Sequence, residues 1–328
     1  MSQARVIILD TNFPNNDIER RVISQSGAEL TIAQCRSEEQ VIEQAADVDA
    51  IIVQYAPLSR RSIGGLRQCK IISRYGIGTD NIDIPAATDN GIWVANVPGF
   101  CAPEVSDHTL AMILACARRL FPLDRSVREG GWDVIGVAGP TLRVSESTVG
   151  IIGFGAIARE LSRKASALGM RVLAHSPRSA DQYAAQYGAQ SVDLETLVRE
   201  SDYITLLCPL TPETRQVINR ERLGWMKKTS FLINNSRGPL VDEAALVDAL
   251  KSGQIAGAAL DVFEKEPPAM DNPLRQLPNV IVSPHGAFYS SRSLSELQER
   301  TAGNVVDFLA GKRPGSLLNN PPNPRVAL

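Results

Sequence analysis

The chain has 328 residues, enough for two domains of ordinary size. Hydrophobic residues make up 44% and charged residues 21%, as in globular proteins that build a full core, and the formal net charge is −2. That balance lacks the basic excess of a nucleic-acid or anionic-membrane binder, and no apolar run approaches the roughly 18 residues of a bilayer span. The five cysteines, Cys35, Cys69, Cys101, Cys116 and Cys208, form no CxxC pair. They read as small core residues, not as a disulfide framework, and no metal site is expected. With no signal-peptide cleavage pattern at the N-terminus, the expected location is a reducing cytoplasm.

In chain order, apolar runs predict strands at 6–9, 50–53, 70–73, 93–97, 149–153, 171–174, 203–207, 231–234, 256–260 and 280–283. Helical patterns fall between many of them, notably 104–120, 195–200 and 243–251, with a last helix at 294–310. Pro103 reads as a start signal for the helix at 104–120 and Pro122 as its stop. Buried strands alternating with amphipathic helices predict an α/β fold with parallel sheets. The proline-rich stretch 319–324 cannot continue a helix and reads as an extended surface arm.

The most specific local signal lies at 149–158. An apolar strand ends in Gly153 and Gly155, and a helical pattern with Ile157 and Leu161 starts at once. Gly153 permits the tight turn, Gly155 leaves the backbone open to a pyrophosphate, and the small Ala158 lets helix and strand pack closely. A second strand at 171–174 completes a βαβ unit, so the pattern predicts a dinucleotide site.

Histidine is scarce: only His108, His175 and His285 occur. His285 follows the strand at 280–283, Arg237 follows the strand at 231–234, and Glu266 follows the strand at 256–260. Singly, each has a bland reading: a turn histidine, a surface cation, a loop acid. Together, a cation, an acid and an imidazole at successive strand ends of one sheet predict an active site, because strand ends of doubly wound sheets face the ligand crevice.

Over nearly its full length the chain resembles the D-isomer-specific 2-hydroxyacid dehydrogenase family. The matching segments are Arg74-Tyr75-Gly76-Ile77-Gly78-Thr79-Asp80-Asn81-Ile82-Asp83, the glycine turn, Leu206-Leu207-Cys208-Pro209-Leu210-Thr211, Asn235-Ser236-Arg237-Gly238, Asp261-Val262-Phe263-Glu264-Lys265-Glu266-Pro267 and Ser283-Pro284-His285. Asn96-Val97-Pro98-Gly99-Phe100-Cys101, Gly131-Trp132-Asp133 and Phe288-Tyr289-Ser290 look most like the branch that holds the C-terminal binding protein corepressors and their bacterial relatives.

The resemblance implies two doubly wound parallel-sheet lobes. A Rossmann-type cofactor domain, 101–288, would be inserted into a flavodoxin-like substrate domain made of 1–100 and 289–328. It implies reduction of a small 2-keto acid to the D-2-hydroxy acid with hydride from a nicotinamide cofactor. Arg237 would grip the substrate carboxylate with paired donors. His285 would protonate the carbonyl oxygen, an imidazole being ionised near neutrality, and Glu266 would orient its ring. Gly76, Ile77 and Gly78 would offer backbone N–H groups to the carboxylate, with Gln54 and Tyr55 in the substrate loop. Gln54 stands where phosphoglycerate dehydrogenases tend to carry arginine, which speaks against a phosphorylated substrate.

Cofactor contacts would come from Gly153, Gly155, Ala156, Ile157, Cys208, Pro209, Ser236 and Asp261, the last holding the nicotinamide amide or serving as a structural aspartate. His175 would lie near the adenosine ribose, while His108 reads as structural. The family usually carries Asp at the end of the second strand, where this chain has Ser176 followed by Arg178. Loss of the carboxylate removes repulsion against a 2′-phosphate and Arg178 could pair with it, so the expected cofactor is NADP in preference to NAD. A homodimer is expected through 104–132. With no regulatory extension after residue 328, feedback through an added domain is not expected. The competing reading is a dinucleotide-sensing interaction protein of the corepressor type with little turnover.

Overall fold

The computed structural model describes residues 3–177 and 179–328, so Arg178 lies outside the described residues. Two compact units emerge, one of Met1–Phe100 with Ser290–Leu328, the other of Cys101–Tyr289. Tyr289 thus falls in the second unit.

The first unit holds a five-stranded parallel sheet: β1 (Arg5–Ile8), β2 (Glu29–Ile32), β3 (Ala50–Val53), β4 (Ile71–Arg74) and β5 (Trp93–Ala95), in the order β2-β1-β3-β4-β5. This is the flavodoxin-like order, with its switch point between β1 and β3. β3 is buried at every position, whereas β2 alternates between exposed and half-buried residues. The helix Ser291–Leu309 returns to this unit, where its Thr301 carbonyl accepts Ser73 Oγ at 2.9 Å. The tail runs beside β5. Leu318 N–H donates to Val94, and Arg325 N–H donates to Gly91 at 2.9 Å, so the proline-rich segment is tied down at both ends.

The second unit holds a seven-stranded parallel sheet: β6 (Thr148–Ile152), β7 (Arg171–His175), β8 (Gln190–Ser191), β9 (Tyr203–Leu206), β10 (Phe231–Asn234), β11 (Gly257–Leu260) and β12 (Val280–Val282). Their order is β12-β11-β10-β9-β6-β7-β8, a Rossmann-type arrangement whose switch point lies between β6 and β9. The helix Ala156–Ala167 buries Ala158, Leu161 and Ala165, and its other face stays wet.

One expected boundary is corrected. The helix beginning at Ala102 ends at Ala117, and Arg119 takes a left-handed conformation, φ 53°. A second helix, Leu120–Arg128, then begins, with Pro122 in its first turn. Pro122 therefore opens a helix instead of stopping one. A first-turn N–H has no intrahelical partner to lose, so proline is tolerated there.

Candidate active site

Register places the working residues along one sheet edge of the second unit. Ile152 is level with Leu206, Leu206 with Asn234, Asn234 with Leu260, and Leu260 with Val282. Gly153, Asn235, Asp261 and Ser283 therefore leave the sheet side by side. The loops carrying Arg237, Glu266 and His285 start from adjacent strands.

The Arg237 loop is folded on itself. Asn234 Nδ2 donates to the Arg237 carbonyl at 2.8 Å, and Ser236 N–H donates to Asn234 Oδ1 at 3.1 Å. Ser236 Oγ reaches across to the Cys208 carbonyl at 2.6 Å and fixes this loop to the Cys208–Pro209 turn. Gly238 then lies flat on the next loop. A Cβ there would stand 1.9 Å from the Phe263 carbonyl carbon and 2.3 Å from Glu264 N. Only glycine lets these two backbones approach so closely.

Glu266 and His285 form the centre of the site. His285 Nδ1 lies 2.6 Å from Glu266 Oε2, while Glu266 Oε1 accepts the Phe263 N–H at 3.0 Å. Both carboxylate oxygens are thus held. Burial raises the Glu266 pKa, but the His285 hydrogen bond and charge, the Phe263 N–H and nearby Arg237 outweigh it, leaving the group below the usual carboxylate range. The ionised form therefore stabilises the fold above the ordinary carboxyl pKa. That contribution is lost as pH falls through the lowered value. His285 Nε2 meets no protein partner among the described residues.

The histidine loop wraps around Asp261, which is only 1% exposed. Asp261 Oδ1 accepts Ser283 Oγ and the Gly286 N–H, Oδ2 accepts the Ala287 N–H, and the Asp261 carbonyl accepts the His285 N–H. His285 itself has φ 51°, a left-handed conformation that costs a β-carbon residue energy unless the surroundings impose it. Asp261 thus holds the histidine loop through both carboxylate oxygens and its carbonyl. His108, read as structural, sits behind this loop with Nε2 3.2 Å from Ser283 Oγ. His175 ends β7, and its Nδ1 lies 3.1 Å from the Val192 carbonyl.

The glycine turn fits a dinucleotide pyrophosphate. Gly153 has φ 93°, and a Cβ on it would fall 2.6 Å from Cys208 N across the switch point. Gly155 is the N-cap of the helix Ala156–Ala167, with open space where a Cβ would stand and no side chain capping the helix. The N–H groups of Ala156 and Ile157 donate to no protein acceptor among the described residues, so helix dipole and free donors face one anion site. Ser176 Oγ lies 3.0 Å from Ser179 Oγ, at the end of β7.

The predicted substrate residues all lie in the first unit. Asp10 accepts the N–H groups of Gln54 and Tyr55 at 2.9 and 2.7 Å. Gln54 is 6% exposed and its Oε1 accepts the Asn12 N–H, so it braces the loop, while Tyr55 is exposed. Gly76 has φ 117°, and the N–H groups of Gly76, Ile77 and Gly78 donate to no protein acceptor among the described residues. Free donors on successive residues are what an anion nest offers.

Residues 110–287 match the model of the D-isomer specific 2-hydroxyacid dehydrogenase, NAD binding domain. A glyoxylate reductase of Korarchaeum cryptofilum is 40% identical over 286 residues, covering 86% of each chain. The chain belongs to the D-isomer specific 2-hydroxyacid dehydrogenase family. A D-3-phosphoglycerate dehydrogenase of Archaeoglobus fulgidus is 38% identical over 90% of this chain, which spans 56% of that protein's length. The crystal structure of D-lactate dehydrogenase from Aquifex aeolicus complexed with NAD and lactic acid superposes with a TM-score of 0.87 at 28% identity, covering 96% of this chain and 99% of that one. The chain is thus a dehydrogenase of this family that uses a nicotinamide dinucleotide.

The lowered carboxyl of Glu266 predicts a pH effect on stability. Wild type should lose stability relative to Glu266→Gln as pH falls through the lowered Glu266 value, read by urea unfolding at neutral and at acidic pH. A stability difference that does not change with pH would mean that the fold does not hold this carboxylate in its ionised form.

Proposed function

We propose that the protein reduces a small 2-keto acid to the D-2-hydroxy acid. The observation that carries this reading is the 2.6 Å contact between His285 Nδ1 and Glu266, with Nε2 left as the proton donor. Bound cofactor supplies the hydride. Arg237 binds the substrate carboxylate with paired donors and polarises the carbonyl. His285 delivers its Nε2 proton to the carbonyl oxygen, and Glu266 orients the ring through Nδ1. Glyoxylate and hydroxypyruvate are the favoured substrates, in keeping with the glyoxylate reductase relative and with Gln54 in place of arginine. NADP is preferred over NAD because Ser176 replaces the ribose-binding acid, with Arg178 beside it. Initial rates of NADPH and NADH oxidation with glyoxylate, hydroxypyruvate, pyruvate and phenylpyruvate test the reading. Cofactor binding without turnover on any of the four would favour the dinucleotide-sensing alternative.

The working form is proposed to be a homodimer in a reducing cytoplasm. The helix Leu120–Arg128 buries none of its residues, and the segment around it exposes Phe121 by 53%, Trp132 by 90%, Val134 by 62% and Ile135 by 83%. An apolar cluster of this kind marks an interaction surface. All five cysteines are free and buried, with burial pushing Cys69 and Cys116 up to about 12. Sedimentation equilibrium is expected to give a dimer for the wild type and a monomer for Trp132→Asp combined with Ile135→Asp. A monomeric wild type would overturn the dimer.

A further inference from the structure

Arg159 stands one turn inside the helix Ala156–Ala167, and the sequence reading gave it no role. Its side chain folds back beneath the glycine turn, where Nε donates to the Phe154 carbonyl at 3.3 Å. That same carbonyl accepts Ser179 Oγ at 3.1 Å, and Ser179 Oγ lies 3.0 Å from Ser176 Oγ. One backbone oxygen therefore ties a guanidinium to the two hydroxyls at the end of β7.

The guanidinium also packs against two aromatic rings. Its Cζ lies 3.9 Å from the centre of the Tyr183 ring and 5.6 Å from that of Tyr187. Stacking on an aromatic face restrains the plane while leaving the donors at its edge available. The terminal nitrogens of Arg159 donate to no protein acceptor among the described residues, and no carboxylate pairs with it there. The other charges nearby are committed elsewhere. Arg163 stacks on Tyr187 and pairs with Glu160 at 3.1 Å, while Asp181 accepts Ser191 Oγ.

The cluster thus combines a restrained cation and two hydroxyls. A phosphomonoester dianion needs such partners, and the ribose diol of NAD does not. We infer that Arg159, with Ser176 and Ser179, binds the 2′-phosphate of NADP and is a determinant of cofactor choice. This rests on the NADP preference proposed above. Arg159 acts whether or not Arg178 also reaches the phosphate.

The test is calorimetric binding of 2′,5′-ADP and 5′-AMP to the full chain, since the two probes differ only by the 2′-phosphate. Charge-assisted hydrogen bonds to a phosphate predict that wild type binds 2′,5′-ADP about 10- to 100-fold more tightly than 5′-AMP. Arg159→Ala should lower that ratio by at least about fivefold and leave 5′-AMP affinity within about twofold, while Arg159→Lys should lower it less because it retains charge without the planar fork. If Arg159→Ala also loses 5′-AMP through misfolding, the lysine variant decides, an unchanged ratio counting against the inference. A wild type that does not distinguish the probes would defeat the NADP reading itself. A wild type that does, together with an Arg159→Ala variant that keeps the ratio, would defeat the role of Arg159 alone.

Discussion

His285→Ala is expected to lower kcat for keto-acid reduction by roughly 10² to 10⁴, the usual contribution of a positioned proton donor. NADPH affinity, measured by fluorescence titration, should stay within about twofold, because the glycine turn and the β7 end are untouched. Loss of the side chain leaves Glu266 without its 2.6 Å partner but does not disturb the Phe263 N–H that also holds it. The backbone is a separate concern, since His285 adopts φ 51°. Asparagine visits the left-handed region more readily than most residues, so His285→Asn preserves the loop while lacking an acid that can donate near neutrality. Both variants should lose activity alike. Activity retained in His285→Asn would mean that the proton comes from elsewhere.

Gly238→Ala is expected to damage stability and activity together. Its new Cβ would meet the Phe263 carbonyl carbon at 1.9 Å and Glu264 N at 2.3 Å, and backbone atoms cannot rotate away as a flexible side chain does. Overpacking of this kind costs about 1–3 kcal/mol. The two loops forced apart carry Arg237 and Glu266, and a misplacement near 1 Å costs on the order of 10²-fold in rate. Gly303 provides the contrast. It lies in the helix Ser291–Leu309 with nothing within 4 Å of a new Cβ, so Gly303→Ala should leave activity intact and raise stability by about 0.5–1 kcal/mol. Equal effects of the two substitutions in urea unfolding would remove the steric argument.

Much of the second unit's sheet was legible because strands buried on both faces appear as uninterrupted apolar runs. Phe231–Asn234 and Tyr203–Leu206 are of this kind, and every residue in both is buried. Strands β2 and β8 left no such trace. Glu29–Ile32 and Gln190–Ser191 lie at the outer edges of their sheets and carry polar, part-exposed residues. The residue types at the site were also legible, since an imidazole, an acid and a guanidinium stand out at strand ends. The partners of Asp261 were not, because they are a hydroxyl and two N–H groups 22 to 26 residues away. Nor was the close approach at Gly238 legible, since nothing local shows which backbone will lie against it. Arg159 was hidden by its position on a helix, where an arginine usually covers a wet face.

The configuration of the product separates a D-specific reductase from every other reading of the site. Hydroxypyruvate, pyruvate and phenylpyruvate would be reduced with the wild-type protein and NADPH, and the hydroxy acids resolved by chiral chromatography. Turnover with at least one of them, giving only the D enantiomer, is expected. An L or racemic product, or no turnover on any of these or on glyoxylate while NADPH still binds, would contradict it.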